Sequence, residues 1–444
     1  MRARVTKSSE VQLAGSSDVG RNMALSALTN LLAPIAVFAT APILARVLGV
    51  DGRGEVGAAT APLLLMIALA TVGLPDAVTV FTARNPRLSR HITANASLLL
   101  CISGLLSTGL AILLAPIISG GSPGVRELTV AAALAITPTL VVGALRGAAA
   151  GQQAWGLVNA EKLLAASLRL IAIATLAFYG YLDVQSATLV VVLSPIVGGA
   201  VYFRLRTETG AATIPPLRLS GQLIGFGSRL WIGSLAGVVL SRLDQVLITP
   251  LAGIRELGYY VIAVSVAEAA LLANNAVRDV TLSADSAGAD DRRLGASSRV
   301  SFLVSLLFGG ALVATLWWWF PLLFGDDFSP AMPVTTILIL AAVLGVPGSV
   351  AGAGLVARGR PGLRSAAVAF AAAVNVILLL VLAPSLGALG AALCTLAGNL
   401  IAANLNVLFL WRLFGVNPGM LYLIRWTDAK SLWSVLLRIT RRNR

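Results

Sequence analysis

The chain has 444 residues, of which 57% are hydrophobic and 12% are charged, and its formal net charge is +14. Soluble domains carry about 25% charged residues, so this composition excludes a soluble globular protein and predicts an integral membrane protein. The single histidine, His91, and two cysteines within apolar runs, Cys101 and Cys394, argue against a metal site, a haem site and a disulfide framework.

Apolar runs long enough to cross a bilayer as helices, at about 20 residues per crossing, predict twelve transmembrane helices. The first six lie near 22–48, 55–82, 92–118, 125–148, 157–181 and 185–204. The second six lie near 222–251, 256–279, 298–324, 330–357, 363–383 and 387–411. We therefore expect an all-α membrane protein with two six-helix lobes, 22–204 and 222–411, joined by a cytoplasmic linker at 205–221.

The two ends of the chain are predicted to be tails in the cytoplasm. Residues 1–21 are polar, and the apolar run after them is too long for the hydrophobic region of a signal peptide. The first helix is therefore expected to be retained. In the basic tail, residues 412–444, apolar and positively charged residues alternate, which is typical of a helix lying in the membrane interface.

The positive charges predict the orientation of the helices. With both termini inside, the cytoplasmic segments carry 26 lysine and arginine residues, and the external connections carry 4. Cytoplasmic loops of membrane proteins are enriched in these residues, so we predict a multi-pass protein of the cytoplasmic membrane. The basic excess then complements the anionic lipids of the inner leaflet, and we expect no binding of nucleic acid.

Glycine and proline positions in the two halves match one another. The matched pairs are Gly49 and Gly54 with Gly253 and Gly258, Pro116 and Gly120 with Pro321 and Gly325, and Pro138 and Gly143 with Pro347 and Gly352. Their offsets, 204, 205 and 209 residues, are nearly constant and predict a duplication. Because each half has an even number of spans, the repeat is of the parallel kind, as in alternating-access transporters with a central cavity.

Charged residues inside the predicted spans are the first candidates for a functional site. Arg169 lies in the fifth helix, Arg242 and Asp244 lie in the seventh, and Glu268 lies in the eighth. A charge at the centre of a bilayer costs a few kcal/mol or more and usually faces a protein interior or a water-filled cavity. We therefore predict that the seventh and eighth helices line a polar cavity between the lobes.

Several stretches resemble polysaccharide flippases of the Wzx type, in the superfamily that also holds multidrug and toxin exporters and lipid II flippases. They are ARVLGVDGRGEVGAA, GLPDA, SRLDQVLI, ELGYYVIAVSVAE, FPLLFGDDFSPA, ARGRP and PSLGALGAAL, in chain order. The resemblance covers nearly the whole chain. It implies a transporter that exports a lipid-linked oligosaccharide for cell-surface polysaccharide biosynthesis, beside the polymerase and glycosyltransferase machinery.

Five residues are candidates for binding this substrate. Arg169 and Arg242 are predicted to hold the pyrophosphate, because a guanidinium group donates a planar fork of hydrogen bonds. Arg46 ends the first helix beside a glycine-rich turn and is a candidate gate on the outer side. Asn30 and Asn375 are candidates for hydrogen bonds to sugars. For each residue the structural alternative stays open: an ion pair, an interfacial position or a bond between helices.

Two carboxylates, Asp244 and Glu268, are candidates for coupling to H⁺ or Na⁺. A carboxyl group in an apolar site binds a proton more readily than it does in water. The alternative is that each carboxylate only balances the charge of an arginine. We predict no other cofactor.

Three other functions are alternatives to the flippase. A cation-coupled multidrug exporter is disfavoured, because the first helix has no acidic residue between Arg21 and Asp51. A lipid II flippase is a further alternative. A membrane glycosyltransferase or ligase is disfavoured, because the longest hydrophilic connection, about 280–299, is too short for a nucleotide-sugar domain. We therefore predict that the protein is not an enzyme.

Overall fold

The structure, a computed structural model, describes the backbone of residues 3–206, 215–285, 291–423 and 425. It describes side chains over 34–206, 215–269 and 291–425, apart from positions 216, 232 and 424. Across these residues the chain forms helices and no β-strand. The all-α fold predicted from the sequence is confirmed.

Seven α-helices form the described first half. They are α1 (Ala3–Ala70), α2 (Leu74–Arg84), α3 (Ser89–Ile118), α4 (Pro123–Ala133), α5 (Ile136–Gly151), α6 (Trp155–Phe178) and α7 (Val184–Gly198). Seven more follow: α8 (Pro216–Ala252), α9 (Ile254–Asp285), α10 (Asp291–Ala314), α11 (Leu316–Phe324), α12 (Ala331–Ala357), α13 (Pro361–Phe414) and α14 (Gly419–Tyr422). Short 3₁₀ turns lie at Pro86–Leu88, Gly199–Arg204 and Asp326–Phe328.

Eight helical stretches within the described residues are long and apolar enough to cross a membrane. Two of these, Pro34–Ala70 and Pro361–Phe414, each contain parts of two predicted spans, separated by the non-helical residues Gly49 and Gly387. The predicted fifth and eighth spans correspond to α6 and α9, which are not among the eight. The protein is thus a multi-pass membrane protein, and the number twelve stays a prediction.

The ends of several predicted segments differ from the observed helices. The tail predicted at 1–21 is helical from Ala3 and continuous with the first span. The linker predicted at 205–221 ends earlier, because α8 begins at Pro216, and proline is favoured in the first turn of a helix. At the C-terminus, Leu421 is buried against the second half, and the Met420 carbonyl accepts a hydrogen bond from Arg299. The beginning of the predicted interfacial tail is therefore docked on protein.

Buried apolar clusters hold the helices together within and between the halves. One cluster includes Leu74, Ile92 and Leu140 of the first half, together with Leu223 of α8. The largest cluster is centred on aromatic residues of the second half, such as Tyr260 and Phe320, and also includes residues of α1. Because the largest cluster takes residues from both halves, the halves share a packed interface.

Two glycines of the predicted repeat adopt the same rare backbone conformation. Gly49 has φ 67° and ψ −171°, and Gly253, 204 residues later, has φ 97° and ψ 169°. This region of φ and ψ is essentially restricted to glycine. Each glycine ends one helical stretch and starts the next, so the chain makes the same corner in both halves.

The helical stretches after these corners touch through a reciprocal glycine contact. A Cβ atom added at Gly54 would lie 2.1 Å from the carbonyl oxygen of Ile254. A Cβ atom added at Gly258 would lie 2.2 Å from the carbonyl oxygen of Val50. Only glycine permits so close an approach of two backbones, so the two halves are joined here at backbone distance. We call this the corner contact.

Candidate functional site

A cavity of about 330 Å³ lies between the two halves and is lined by α1 and α6 of the first half and α8 and α9 of the second. We call it the central cavity. Its charged lining residues are Arg53, Arg169, Arg242 and Glu268. The remaining wall mixes apolar side chains such as Phe38 with the hydroxyl groups of Thr40 and Ser265.

Two arginines of the central cavity have unsatisfied donors. Arg53 is 7% exposed, and its Nε and the Nε of Arg169 are buried without a hydrogen-bond partner in the described part of the chain. The two guanidinium groups also lie close enough to repel each other. An unsatisfied buried donor costs about 1–3 kcal/mol, and more if it is charged. An anion bound between the two guanidinium groups would accept hydrogen bonds from both Nε atoms and would offset their positive charges.

The third arginine, Arg242, is paired across the cavity wall. Its Nη2 lies 2.8 Å from Oε1 of Glu268, and the two side chains are 30% and 54% exposed. An ion pair this open to solvent is worth about 1 kcal/mol at most. Arg242 is therefore held in position by Glu268 and can exchange that partner for a ligand at little cost.

The central cavity as a whole favours a negatively charged ligand. Three arginines and one glutamate among its described lining residues give a net charge of +2. Guanidinium groups bind phosphate oxygens with paired, charge-assisted hydrogen bonds. The arrangement suits a phosphate or diphosphate better than a cation.

Arg53 is the lining residue that the sequence analysis missed, because its position between two glycines suggested an external loop. In the structure it lies in the first turn after the corner at Gly49 and points to the interior. Gly57 and Thr60 follow it at i+4 and i+7, on the same helical face. Small residues on the same helical face as an arginine are the sequence pattern that would have identified Arg53 as a buried lining residue.

Asp244 lies in the second half and is not among the lining residues of the central cavity. It is 2% exposed, and its carboxylate accepts hydrogen bonds from Tyr260, from Thr395 at 3.2 Å and from the backbone N–H of Gln245 at 2.7 Å. No described lysine or arginine forms a salt bridge with it. The charge of Arg242 acts on Asp244 through space without a salt bridge, so coupling to an ion and balancing of an arginine both stay predictions for Asp244.

Two other predicted site residues, Asn375 and Arg46, are not among the described lining residues of the central cavity. Asn375 is 2% exposed, and its Nδ2 has no hydrogen-bond partner in the described part of the chain. Arg46 donates to the carbonyl oxygens of Leu322 and, at 3.0 Å, Leu323, so it joins α1 to the end of α11 across the two halves. The side chain of Asn30 lies outside the described residues.

Comparison with known proteins gives the family. A profile of polysaccharide biosynthesis proteins matches residues 19–277, which is more than half of the chain. No curated protein matches the chain.

Solved structures with the same fold include the lipid II flippase MurJ in an inward closed conformation, with a TM-score of 0.71 and 13% identity, covering 86% of this chain and 87% of that one. An inward-facing multidrug resistance MATE family transporter of the MOP superfamily has a TM-score of 0.66 and 15% identity, and the match covers 86% of this chain and 97% of that one. An outward-facing one has a TM-score of 0.51 and 18% identity, with 87% and 94% covered.

These findings agree with the helices and the buried site described above. The family match spans the first half and continues into α9, so it includes the positions of all four charged lining residues. The structural matches cover more than four fifths of this chain. The chain belongs to the polysaccharide biosynthesis protein family and is a multi-pass membrane protein with the fold of the flippases and exporters of the MOP superfamily.

Proposed function

We propose that the protein flips a polyprenyl-diphosphate-linked oligosaccharide from the inner to the outer leaflet of the cytoplasmic membrane, for cell-surface polysaccharide biosynthesis. The diphosphate binds in the central cavity, the sugars extend into the hydrated space between the halves, and the prenyl chain stays in lipid. Both termini lie in the cytoplasm, where the basic tails contact anionic lipids. The glycosyltransferase machinery delivers the glycan on the cytoplasmic side, and the polymerase receives it on the outer side.

The observation that carries this proposal is the pair of buried guanidinium groups, Arg53 and Arg169, whose Nε atoms lack partners in the described part of the chain. Together with Arg242 they place three cations around one cavity. A diphosphate has enough oxygens to accept bonds from all three. A cationic drug would be repelled, so the net charge of +2 favours the flippase over the multidrug exporter.

The lipid II flippase is the second candidate, because lipid II also carries a diphosphate and the fold of MurJ covers 86% of this chain. The cavity chemistry is the same for both substrates. The family match favours a polysaccharide precursor. The two candidate functions therefore differ in the glycan that the protein binds, whereas the diphosphate is common to both.

We further propose that the molecule works by alternating access and that the structure represents a state closed at the corner contact. The fold is more similar to the inward-facing exporter, with a TM-score of 0.66, than to the outward-facing one, with a TM-score of 0.51. Arg46 adds hydrogen bonds between α1 and α11. We assign Arg46 to the outer gate, and with this placement it would not touch substrate in the closed state.

We propose that Asp244 is the site of coupling to H⁺ or Na⁺. Its carboxylate is buried and accepts a hydrogen bond from Thr395, and a Cβ atom added at Gly398, three residues later, would lie 3.3 Å from Asn375. The oxygen and nitrogen of an amide are assigned from their surroundings. With them exchanged, Asn375 offers an unpaired oxygen near the helical turn that carries Thr395, the kind of ligand that a hard cation requires. Transport of the lipid-linked oligosaccharide into vesicles, driven by a Na⁺ gradient or by a pH gradient, identifies the coupling ion. Asp244→Asn is the variant to compare with the wild-type protein.

The diphosphate site is tested with alanine variants of Arg53, Arg169 and Arg242. Loss of one charge-assisted clamp should cost on the order of 2–5 kcal/mol, which is about 30-fold or more in affinity. We expect inorganic pyrophosphate to bind the purified wild-type protein and to bind each variant at least ~30-fold more weakly. Surface polysaccharide, normalised to folded protein in the membrane, should be lost as well. Lysine in place of Arg169 or Arg242 should restore function only in part, because a point charge cannot hold two oxygens at once.

Arg229→Ala is the matched control, because Arg229 lies on α8 with Arg242 but is exposed and does not line the central cavity. It should bind pyrophosphate and export glycan normally. A merely structural arginine would lower the amount of folded protein and leave export per molecule unchanged. Normal pyrophosphate binding in all three cavity variants would place the phosphates elsewhere and remove the proposed site.

A further inference from the structure

The first part of α8 packs on the first half of the chain, although α8 begins the second half. Leu219 and Leu223 lie in the buried apolar cluster that is built from α2, α3 and α5. The ring of Phe226 meets the ring of Phe81 on α2 edge to face, with the centroids 5.8 Å apart. We call residues 216–231 the docked segment.

A second close glycine contact joins the docked segment to the first half. A Cβ atom added at Gly73 would lie 2.1 Å from the carbonyl oxygen of Gly227, and one added at Gly227 would lie 2.8 Å from that of Val72. Nearby, Trp231 donates from Nε1 to the carbonyl oxygen of Ala68 at 2.8 Å. Only glycine permits so close an approach of two backbones. We call this the docking contact.

The docking contact lies at the far end of the helical stretch that begins at the corner contact. Gly54 and Gly73 are 19 residues apart, and the chain between them is helical up to Ala70. At 1.5 Å per residue this separation is about 28 Å, close to the thickness of the hydrocarbon core. The docking contact is therefore near the opposite membrane surface, which is the predicted cytoplasmic side.

Beyond the docked segment, α8 packs on α13 of the second half. A Cβ atom added at Gly233 would lie 3.7 Å from Cβ of Ser365, and Leu240 belongs to a buried cluster with residues of α13. Gly237 lies between these two positions, and a Cβ atom added there would meet nothing within 4 Å. Neighbouring glycine and serine residues, as at Gly233 and Ser234, are recurrent sites of helix bending. The helix thus changes its packing partner at a stretch that is able to bend.

We propose that the docked segment moves with the first half and that α8 bends between Gly233 and Gly237 when the predicted cytoplasmic side opens. Gly233 then leaves Ser365, while the docking contact stays closed. The two moving units are divided inside α8 and not at the linker between the halves. This division does not depend on the substrate, so it goes beyond the proposed flippase function.

Disulfides that tie α8 to one half or the other distinguish the two ways of dividing the chain. Asn95→Cys with Ser220→Cys ties the docked segment to α3, because the side-chain oxygens of the two residues lie 3.5 Å apart. Gly233→Cys with Ser365→Cys ties α8 to α13, at a Cβ separation that suits a disulfide. We expect export of surface polysaccharide to continue with the first bond formed and to be lost with the second.

Both pairs are made in a chain with Cys101→Ala and Cys394→Ala. Export per folded protein is measured before oxidation, after oxidation and again after reduction. Loss of export with the first bond and retention with the second would show that the docked segment moves with the second half, and would overturn the proposal. Retention with both bonds, or loss with both, would overturn it as well.

Distances between spin labels test the bend without any substrate, in the same cysteine-free chain in lipid nanodiscs. Labels at the exposed positions Gln222 and Arg90 should give one narrow distance, because both lie on the unit of the first half. Labels at Gln222 and the exposed Arg360 of the second half should give a broad distribution with two populations. The opposite pattern, or equal widths for the two pairs, would contradict the bend.

A matched pair of glycine variants tests the docking contact. Gly227→Ala should broaden the distance between the labels at Gln222 and Arg90, because its methyl group would overlap the carbonyl oxygen of Val72. Gly225→Ala is the control on the same helix, since a Cβ atom there meets nothing within 4 Å. Equal widths in the two variants would show that the contact does not hold the segment, and would overturn the proposal. If the cysteine-free parent exports no glycan while the label distances show the bend, the proposed flippase function fails and the bend stands.

Discussion

The ion pair between Arg242 and Glu268 places a carboxylate in the cavity that is proposed to bind a diphosphate. Glu268 is the one acidic residue among the described lining residues, and its side chain is 54% exposed. A bound anion meets repulsion from this carboxylate and competition for Arg242. At the scale of single residues, the pair therefore weakens substrate binding and, by the same argument, assists release.

We expect Glu268→Gln to tighten pyrophosphate binding. An exposed pair is worth about 1 kcal/mol at most, so the gain should be about two- to fivefold. Calorimetric titration of the purified protein measures it. Glu127→Gln, an exposed position on α4 outside the lining, is the control. Weaker binding in Glu268→Gln would mean that Glu268 positions Arg242 more than it competes with the ligand.

Asp183 caps the first turn of α7 in the connection after α6. Its carboxylate accepts a hydrogen bond from the Ser186 N–H at 2.7 Å, which lowers the pKa of Asp183. The cap therefore stabilises the helix above the usual pKa of aspartate and is lost as the pH falls through the lowered pKa. Asp183→Ala should cost about 1 kcal/mol locally, seen as roughly fivefold faster amide hydrogen exchange near Ser186. Asp183→Asn should retain most protection, and unchanged exchange in the alanine variant would contradict the cap.

Single residues show where sequence reasoning succeeds and where it stops. Arg169 and Arg242 stand in apolar runs, so the cost of burying a charge marks them directly, and the structure places both at one cavity. Arg53 was missed because its burial depends on the corner at Gly49, which is a property of the backbone. Partners across the fold, such as Tyr260 with Asp244, depend on tertiary packing that one sequence does not reveal.

Helices were predicted more accurately than their breaks. Apolar length alone identified the helical regions, because a membrane requires every backbone group to be satisfied within its own segment. The helix breaks at Gly73 and Thr315 do not change the hydrophobicity of the surrounding sequence, so the apolar pattern did not predict them. The corner contact joins the two halves through Gly54 and Gly258, which are among the matched glycines of the predicted repeat.

We expect Gly54→Ala and Gly258→Ala to act alike and to open the corner contact. Each added methyl group would overlap a carbonyl oxygen of the opposite half. Overpacking of this kind costs about 1–3 kcal/mol, enough to shift a two-state equilibrium about five- to hundredfold. Spin labels at the exposed positions Arg126 and Asp327 should move apart.

Gly109→Ala is the control for this experiment, because an added Cβ atom there meets nothing within 4 Å. It should leave the label distances unchanged. Unchanged distances in both corner variants, in protein that still folds, would show that the contact tolerates a methyl group and does not close the molecule.

At the scale of the whole molecule, the charge distribution predicts how the helices sit in the membrane. Reporter fusions at Gly121, Asp183, Asp326 and Ser385 should read outside the cell, because the predicted external connections carry 4 of the lysines and arginines against 26 inside. A fusion at Gly288, which lies outside the described residues, should read inside, as should one at the C-terminus. An external C-terminus would remove the predicted orientation and, with it, the parallel form of the repeat.

The corner contact has a consequence for the ancestry of the chain. Gly54 approaches the carbonyl of Ile254, and Gly258 approaches that of Val50. Each half therefore presents the same two contact surfaces, one with a glycine and one with a backbone carbonyl. This reciprocity is the mark of an isologous interface, in which two identical subunits exchange equivalent contacts about a two-fold axis. A single-chain ancestor of one half would already have carried both surfaces and could have paired with its own copy. Under the predicted duplication, the linker between the halves would have made permanent an association that the glycines had already made self-complementary.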